Sequence, residues 1–221
     1  MTGRRRFLKV VASRERPNNS VLPFITDSIF VSITAYLLLD YVWALLFRPV
    51  SLLVVVREAF LTVYLLMALA FLAVRKSART FTTKKADYLY TILGFSSPLL
   101  FQPSPYGGPV FVGASLEVSG LALVATAFLS LNRSFGLAPQ NRGIKTGGVY
   151  KFVRHPMYLG YILAEAGYIL DNFSDFNLFV LAVSVLFLLL RLRAEEQLLG
   201  QDPAYRKYSR KTPWKLLPLL F

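Results

Sequence analysis

The residues able to do chemistry are few, and they gather late in the chain. The one histidine, His155, stands in Arg154-His155-Pro156-Met157-Tyr158-Leu159-Gly160, and two adjacent acids, Glu195 and Glu196, follow Arg191 by four and five positions. Cysteine is absent, which excludes disulfides, thiolate nucleophiles and cysteine-held zinc or iron–sulfur centres. A single histidine also excludes a multi-histidine metal site, so no metal is expected. Pro156 suits the first position of a helix, where its missing N–H costs nothing, and that makes His155 the N-cap. A helix start offers free N–H groups and a positive dipole end, which favour a carboxylate or phosphate. Gly160 lets a ligand or another helix approach the backbone. Each feature has a plainer reading as well. The first stretch would serve as a helix cap with interfacial Arg and Tyr anchors, and Arg191 with Glu195 as an i, i+4 pair along a helix.

The elements that must position these groups are helical. A hydrocarbon core of about 30 Å needs roughly 20 apolar residues per helix. The stretches Phe24–Phe47, Val50–Val74 and Pro109–Leu131 meet this length, the last with one embedded acid, Glu117. Ala86–Phe101 is marginal because Gly94, Ser96, Ser97 and Pro98 break it. Met157–Leu170 and Asn177–Leu190 are shorter and flank a polar turn, Asp171-Asn172-Phe173-Ser174-Asp175, so they read as a helical hairpin that spans or dips into the bilayer. Strands are not expected, since only helices and closed barrels satisfy the backbone in lipid. The hairpin returns Glu195 to the level of His155. Acids, imidazole, guanidinium and a helix start then converge at one membrane face, where they suit a zwitterionic cofactor with a cationic centre. A carboxylate would accept from its amino group or ribose hydroxyls, the helix start would hold its carboxylate, and an apolar pocket would take a purine ring. Glu117 and Glu165, acids within apolar stretches, are functional candidates by default, or else helix–helix hydrogen-bonding groups.

Composition agrees with a membrane setting. Of 221 residues 55% are hydrophobic and 17% charged, against roughly 25% charged in soluble proteins. The formal charge is nevertheless +13. Of the 25 Lys and Arg residues, all but Arg48 and Arg57 lie in four segments: 1–23, 75–85, 133–154 and 191–215. These fall on one face if all six apolar stretches cross or return, and the positive-inside rule puts that face and both termini in the cytoplasm. The basic arms are read as topology signal and attraction to anionic membrane lipids, not as a nucleic-acid surface. No P-loop is present and no GxGxxG follows a strand. Arg4-Arg5-Arg6-Phe7-Leu8-Lys9 imitates a twin-arginine export signal, but Arg14-Glu15-Arg16-Pro17 interrupts the apolar run such a signal requires. Between Asn132 and Pro156 lies a polar loop with Gly136, Gly143, Gly147 and Gly148, too long for a simple connector. Its Phe135, Ile144, Val149, Tyr150, Phe152 and Val153 argue for order. The reading is an all-α integral membrane protein of about five to six transmembrane or re-entrant helices with a cytosolic cofactor-binding C-terminal region. Residues 1–23 form a basic cytoplasmic arm, 24–131 the transmembrane helices, and 132–221 the cofactor-binding region with its hairpin and tail.

Gly148-Val-Tyr-Lys-Phe-Val-Arg-His-Pro-Met-Tyr-Leu-Gly160, then Arg191-x-x-x-Glu195-Glu196, then Tyr205-x-x-Tyr208 resembles the isoprenylcysteine carboxyl methyltransferase family and the broader group of membrane phospholipid methyltransferases. The likeness covers roughly residues 130–221. It implies S-adenosylmethionine as cofactor, bound at the cytosolic face. Its contacts, carried over by position, would be Gln140, Arg142, Gly143, Ile144, Lys145, Tyr150, His155, Pro156, Met157, Tyr158, Glu195 and Glu196. Arg191 would face the methyl acceptor, a lipophile entering sideways from the bilayer, with Arg191 and Glu195 as the catalytic pair. A carboxylate acceptor is already nucleophilic and needs only orientation by Arg191; an amine needs a base, for which Glu195 or Glu196 is placed. The segment Leu199-Gly200-Gln201-Asp202-Pro203-Ala204-Tyr205 is longer than the eukaryotic pattern and leaves the acceptor open. The alternative enzyme class is an integral-membrane sterol-type reductase using NADPH, whose distant relatives share an Arg/Glu-rich tail.

Overall fold

The structure, a computed structural model, describes residues 21–47, 52–104 and 110–218. The basic arm up to Ser20, with the twin-arginine run, lies outside them. Among the described residues there are seven α-helices: α1 (Val21–Phe47), α2 (Leu52–Val74), α3 (Lys85–Ser96), α4 (Val110–Leu131), α5 (Pro156–Asp171), α6 (Asp175–Leu199) and α7 (Pro203–Lys211). Three of the described segments are long and apolar enough to cross a bilayer: Val21–Trp43, Phe111–Ser134 and Asp175–Leu199. The chain is a multi-pass membrane protein. Two of the helices expected to span or re-enter are short, each for a local reason. Helix α3 stops at Ser96 and continues as a 3-10 turn, Ser97–Leu100, because Pro98 cannot extend the α-helix. Helix α5 has 16 residues, about 24 Å at 1.5 Å per residue. Helix α6, by contrast, outruns the expected Asn177–Leu190. Its 25 residues carry Arg191, Glu195 and Glu196 inside one continuous helix.

Strands were not expected, and here the expectation fails in a small way. Thr80–Phe81 (β1) pairs antiparallel with Gln140–Asn141 (β2), Thr80 opposite Asn141. The bar on strands applies to backbone facing lipid. These residues belong to loops beyond the helix ends, where two chain segments satisfy each other's peptide groups.

The helices run up and down between two ends. At one end Arg75, just after α2, pairs with Asp27 of α1. Lys76 N–H donates to the Arg133 carbonyl after α4 at 2.8 Å, and Lys84 before α3 reaches Gln197 of α6. The basic loops that the described residues contain therefore share one end. The other end is closed by Asn177, fully buried at the α5–α6 turn. Its amide accepts from Gln102 N–H at 3.0 Å and donates to the Gln102 and Asn172 carbonyls.

Among the described helices, α4 and α5 make the most extensive contact. The seam is built of glycine. A Cβ on Gly120 would lie 2.6 Å from the Gly160 carbonyl oxygen and 2.5 Å from Ala164 N; one on Gly167 would lie 2.5 Å from both Gly113 O and Glu117 N. Backbone thus touches backbone along two turns, the arrangement that lets helices associate where lipid removes any hydrophobic drive. Gly160 serves a neighbouring helix in this way. The aromatic core stands beside the seam, Phe128 stacking on Phe71 at 5.8 Å and meeting Phe135 edge-on at 4.7 Å.

Candidate functional site

The loop from Asn132 to His155 folds back over the ends of α4, α5 and α6. Gly148 permits this: its φ is +58°, and a Cβ there would sit 2.2 Å from Ser130 Oγ at the end of α4. The 3-10 turn Gly148–Lys151 therefore lies against the helix, with Tyr150 buried inside. His155 is the N-cap of α5, as the Pro156 rule requires, though its side chain does not cap. The imidazole points at α6 instead, its Nε2 2.7 Å from Glu196 Oε1. An ionised carboxylate only accepts, so this nitrogen carries a proton.

The two adjacent acids have different duties. Glu196 is the hub of a polar clamp. Arg154 grips it bidentately, Nε and Nη2 each donating at 3.0 Å. Tyr205 donates to the Oε1 that faces His155. Arg154 also donates through Nη1 to the carbonyls of Thr212 and Pro213, at 3.1 and 3.0 Å. Backbone N–H groups of Arg154 and His155 donate to the Trp214 and Lys215 carbonyls. The clamp thus fastens α7 and the segment after it onto the loop. Tyr208 adds a hydrogen bond to the Tyr150 carbonyl at 2.7 Å. Asp202, the N-cap of α7, accepts from Ala204 N–H and from the Asn141 amide, both at 2.8 Å. Burial, then the charge of Glu196, pushes the Tyr205 phenol well above its ordinary range, which keeps it a donor.

Glu195, one position earlier, faces a cavity of about 720 Å³ that includes its open mouth. It accepts from Tyr158 O–H at 2.7 Å. The Arg191 guanidinium lies over the same ring, 5.1 Å from its centroid, in cation–π contact. Gln140, Arg142, Gly143, Ile144, Lys145, Tyr150, His155, Met157, Tyr158, Arg191 and Glu195 all line this one cavity. Pro156 and Glu196 do not: Pro156 is buried as the helix start, and Glu196 is taken up by the clamp. Sequence reasoning left out Phe135, Arg154, Tyr205 and Tyr208, which also line it. The Tyr205-x-x-Tyr208 spacing on one helix face was the signal for the two tyrosines.

A second, larger cavity of about 1010 Å³ adjoins the first among α1, α3, α5 and α6. Its walls are apolar: Phe30, Ile33, Leu37, Leu65, Phe95, Leu99 and Leu188 among them. Phe135 and Arg191 line both cavities.

A polar cavity at the basic end thus stands beside an apolar one within the helices. The family model for phospholipid methyltransferase matches residues 109–205, the stretch that carries most of this site, and by this likeness the chain is an S-adenosylmethionine-dependent membrane methyltransferase acting on a lipid acceptor. No curated protein matches the chain. The family match decides between the methyltransferase and the reductase readings. The residues present also suit the cofactor's groups. Arg142 is held by its two terminal nitrogens on the Lys76 carbonyl and Gln140, while its buried Nε has no partner among the described residues. Burial, and next the charge of Arg75, lowers this guanidinium to about 10, so at neutral pH it is still a cation. Gly143 beside it has φ +102°, with nothing within 4 Å of where a Cβ would stand, so the backbone there offers an open cradle.

Proposed function

We propose that the basic-end cavity holds S-adenosylmethionine, that the apolar cavity holds a lipophilic acceptor, and that methyl transfer takes place at the wall formed by Phe135 and Arg191. The observation that carries this reading is that the two cavities share those two residues. The cofactor supplies a methyl group activated on a sulfonium. The protein's part is alignment and exclusion of water. Glu195, fixed by Tyr158, presents carboxylate oxygens to amino or hydroxyl groups of the cofactor. Arg142 and the backbone around Gly143 to Lys145 face its anionic end. The acceptor is an isoprenylcysteine-like carboxylate, whose oxygens Arg191 would orient by charge-assisted hydrogen bonds. Such an acceptor arrives deprotonated and needs no base. Arg191 and Glu195 are therefore the residues at the reacting centre, one for each reactant. The positive-inside distribution of the loops puts the basic end, and with it the cofactor, on the cytoplasmic side.

The match to phospholipid methyltransferases supports a second acceptor, a lipid amine. That chemistry must lose a proton, and Glu195 is the group placed to take it. Membranes containing the protein, incubated with methyl-labelled cofactor, separate the two. Label in lipid that is released by mild alkali is expected for the carboxylate. Alkali-stable label on nitrogen would overturn that choice in favour of the amine, and no label in lipid would overturn the methyl-transfer site itself.

A further inference from the structure

The apolar cavity contains two polar groups that the methyl transfer described above does not use. Glu165, on α5, accepts from Ser184 Oγ of α6 through Oε1 at 2.9 Å, and its Oε2 is buried without a partner among the described residues. Thr34, on α1, is fully buried and its Oγ1 also has no partner among them. Other helical hydroxyls here bond back to the preceding turn, as Thr26 does to the Leu22 carbonyl and Thr91 to the Asp87 carbonyl, both at 2.9 Å. Thr34 does not, yet it lines the same cavity as Glu165. A buried polar atom left unpaired is costly, and two in one apolar chamber point to a missing polar partner.

The register of α6 sets the depth of Glu165 within the chamber. Ser184, which holds Glu165, precedes Arg191 by seven residues on α6, about 10 Å along the helix. Glu165 is therefore too deep to reach an atom being methylated beside Arg191, and it reads the body of the acceptor instead. A hydroxyl meets the chemistry best. It donates to a carboxylate, accepts from a carboxylic acid, and pairs with a threonine hydroxyl in either sense.

We propose that the apolar cavity selects an acceptor carrying a hydroxyl about 10 Å from its reacting head, with Glu165 and Thr34 as the specificity-determining pair. This rests on the acceptor reading of the cavity given above. The test uses the full-length protein in detergent and the probes stearate and 10-hydroxystearate. Their carboxylate stands for the acceptor head at Arg191, and they compete against a fluorescent fatty acid. The hydroxylated probe is expected to bind at least about fivefold more tightly. In a protein carrying both Glu165→Leu and Thr34→Val the order should reverse, since an unpaired hydroxyl is unfavourable to bury. Glu165→Gln, which keeps an acceptor and a donor, should retain part of the preference. Equal or weaker binding of the hydroxylated probe to the unaltered protein would overturn the inference while leaving the acceptor cavity standing. Failure of both probes to displace the reporter would remove the acceptor cavity itself.

Discussion

The α4–α5 seam and the clamp at the basic end hold the same molecule together by different physics. The seam is steric. Gly113, Gly120, Gly160 and Gly167 bring two backbones into contact, and the fit depends on side chains being absent. The clamp is polar. Arg154, His155, Glu196, Tyr205 and the carbonyls of residues 212–213 converge from far apart in sequence, and the fit depends on every donor meeting an acceptor. The lesson is one of division. Helix placement is secured by shape inside the membrane region, and the walls of the polar cavity are secured by charge and hydrogen bonding at its edge. Damage to one should look different from damage to the other.

The largest effect is expected from Gly167→Leu. Its side chain would begin 2.5 Å from two backbone atoms of α4, which cannot step aside as a flexible side chain could. A loss of about 3 kcal/mol or more is expected, at or beyond the usual range for overpacking. Size-exclusion chromatography in detergent and a thermal melt should show aggregation or a steep fall in Tm; an unchanged melt would remove the seam as the determinant of helix placement. Arg154→Ala comes next. It strips Glu196 of its bidentate partner and frees the segment around Pro213. Helix content by circular dichroism should hold, whereas cofactor affinity by titration calorimetry should fall about 10- to 100-fold, equivalent to ~1.4–2.7 kcal/mol. Equal affinity in this variant would break the contrast between the two regions. Tyr208→Phe removes one hydrogen bond, to the Tyr150 carbonyl. A loss of about 1 kcal/mol is expected, read as a fewfold weakening of cofactor binding by the same titration and a shift of about 2–4 °C in the melt.

Much of this was legible in the chain. Continuous apolar runs gave the long helices, because hydropathy over 20 residues is a property of the segment itself. Asp171-Asn172-Phe173-Ser174-Asp175 announced the turn of the hairpin, and Pro156 announced the helix start, since both are local signals. His155, Met157 and Tyr158 line one cavity with Arg191 and Glu195, as the hairpin geometry requires. What was not legible depends on distant partners. Nothing near Thr80 announces its pairing with Asn141. Arg154 reads as one more basic loop residue until Glu196, 42 positions later, is brought beside it. The two acids look equivalent in sequence, but about 100° of helix rotation separates successive side chains. That angle turns Glu195 to the cavity and Glu196 to the clamp. Phe135, placed by an edge-on contact with Phe128, carries no sequence mark of its position between two chambers.

The rotation of α6 also bears on how this chain could change by insertion or deletion. Ser184, Arg191 and Glu195 are spaced by seven and four, so they stay on one side of the helix while Glu196 turns away. Adding or removing a single residue between Ser184 and Glu195 would swing those before the change by about 100° relative to those after it. Length variation among sequences of this kind should therefore be confined to the connecting loops, with this stretch of α6 free of gaps even where its individual letters differ.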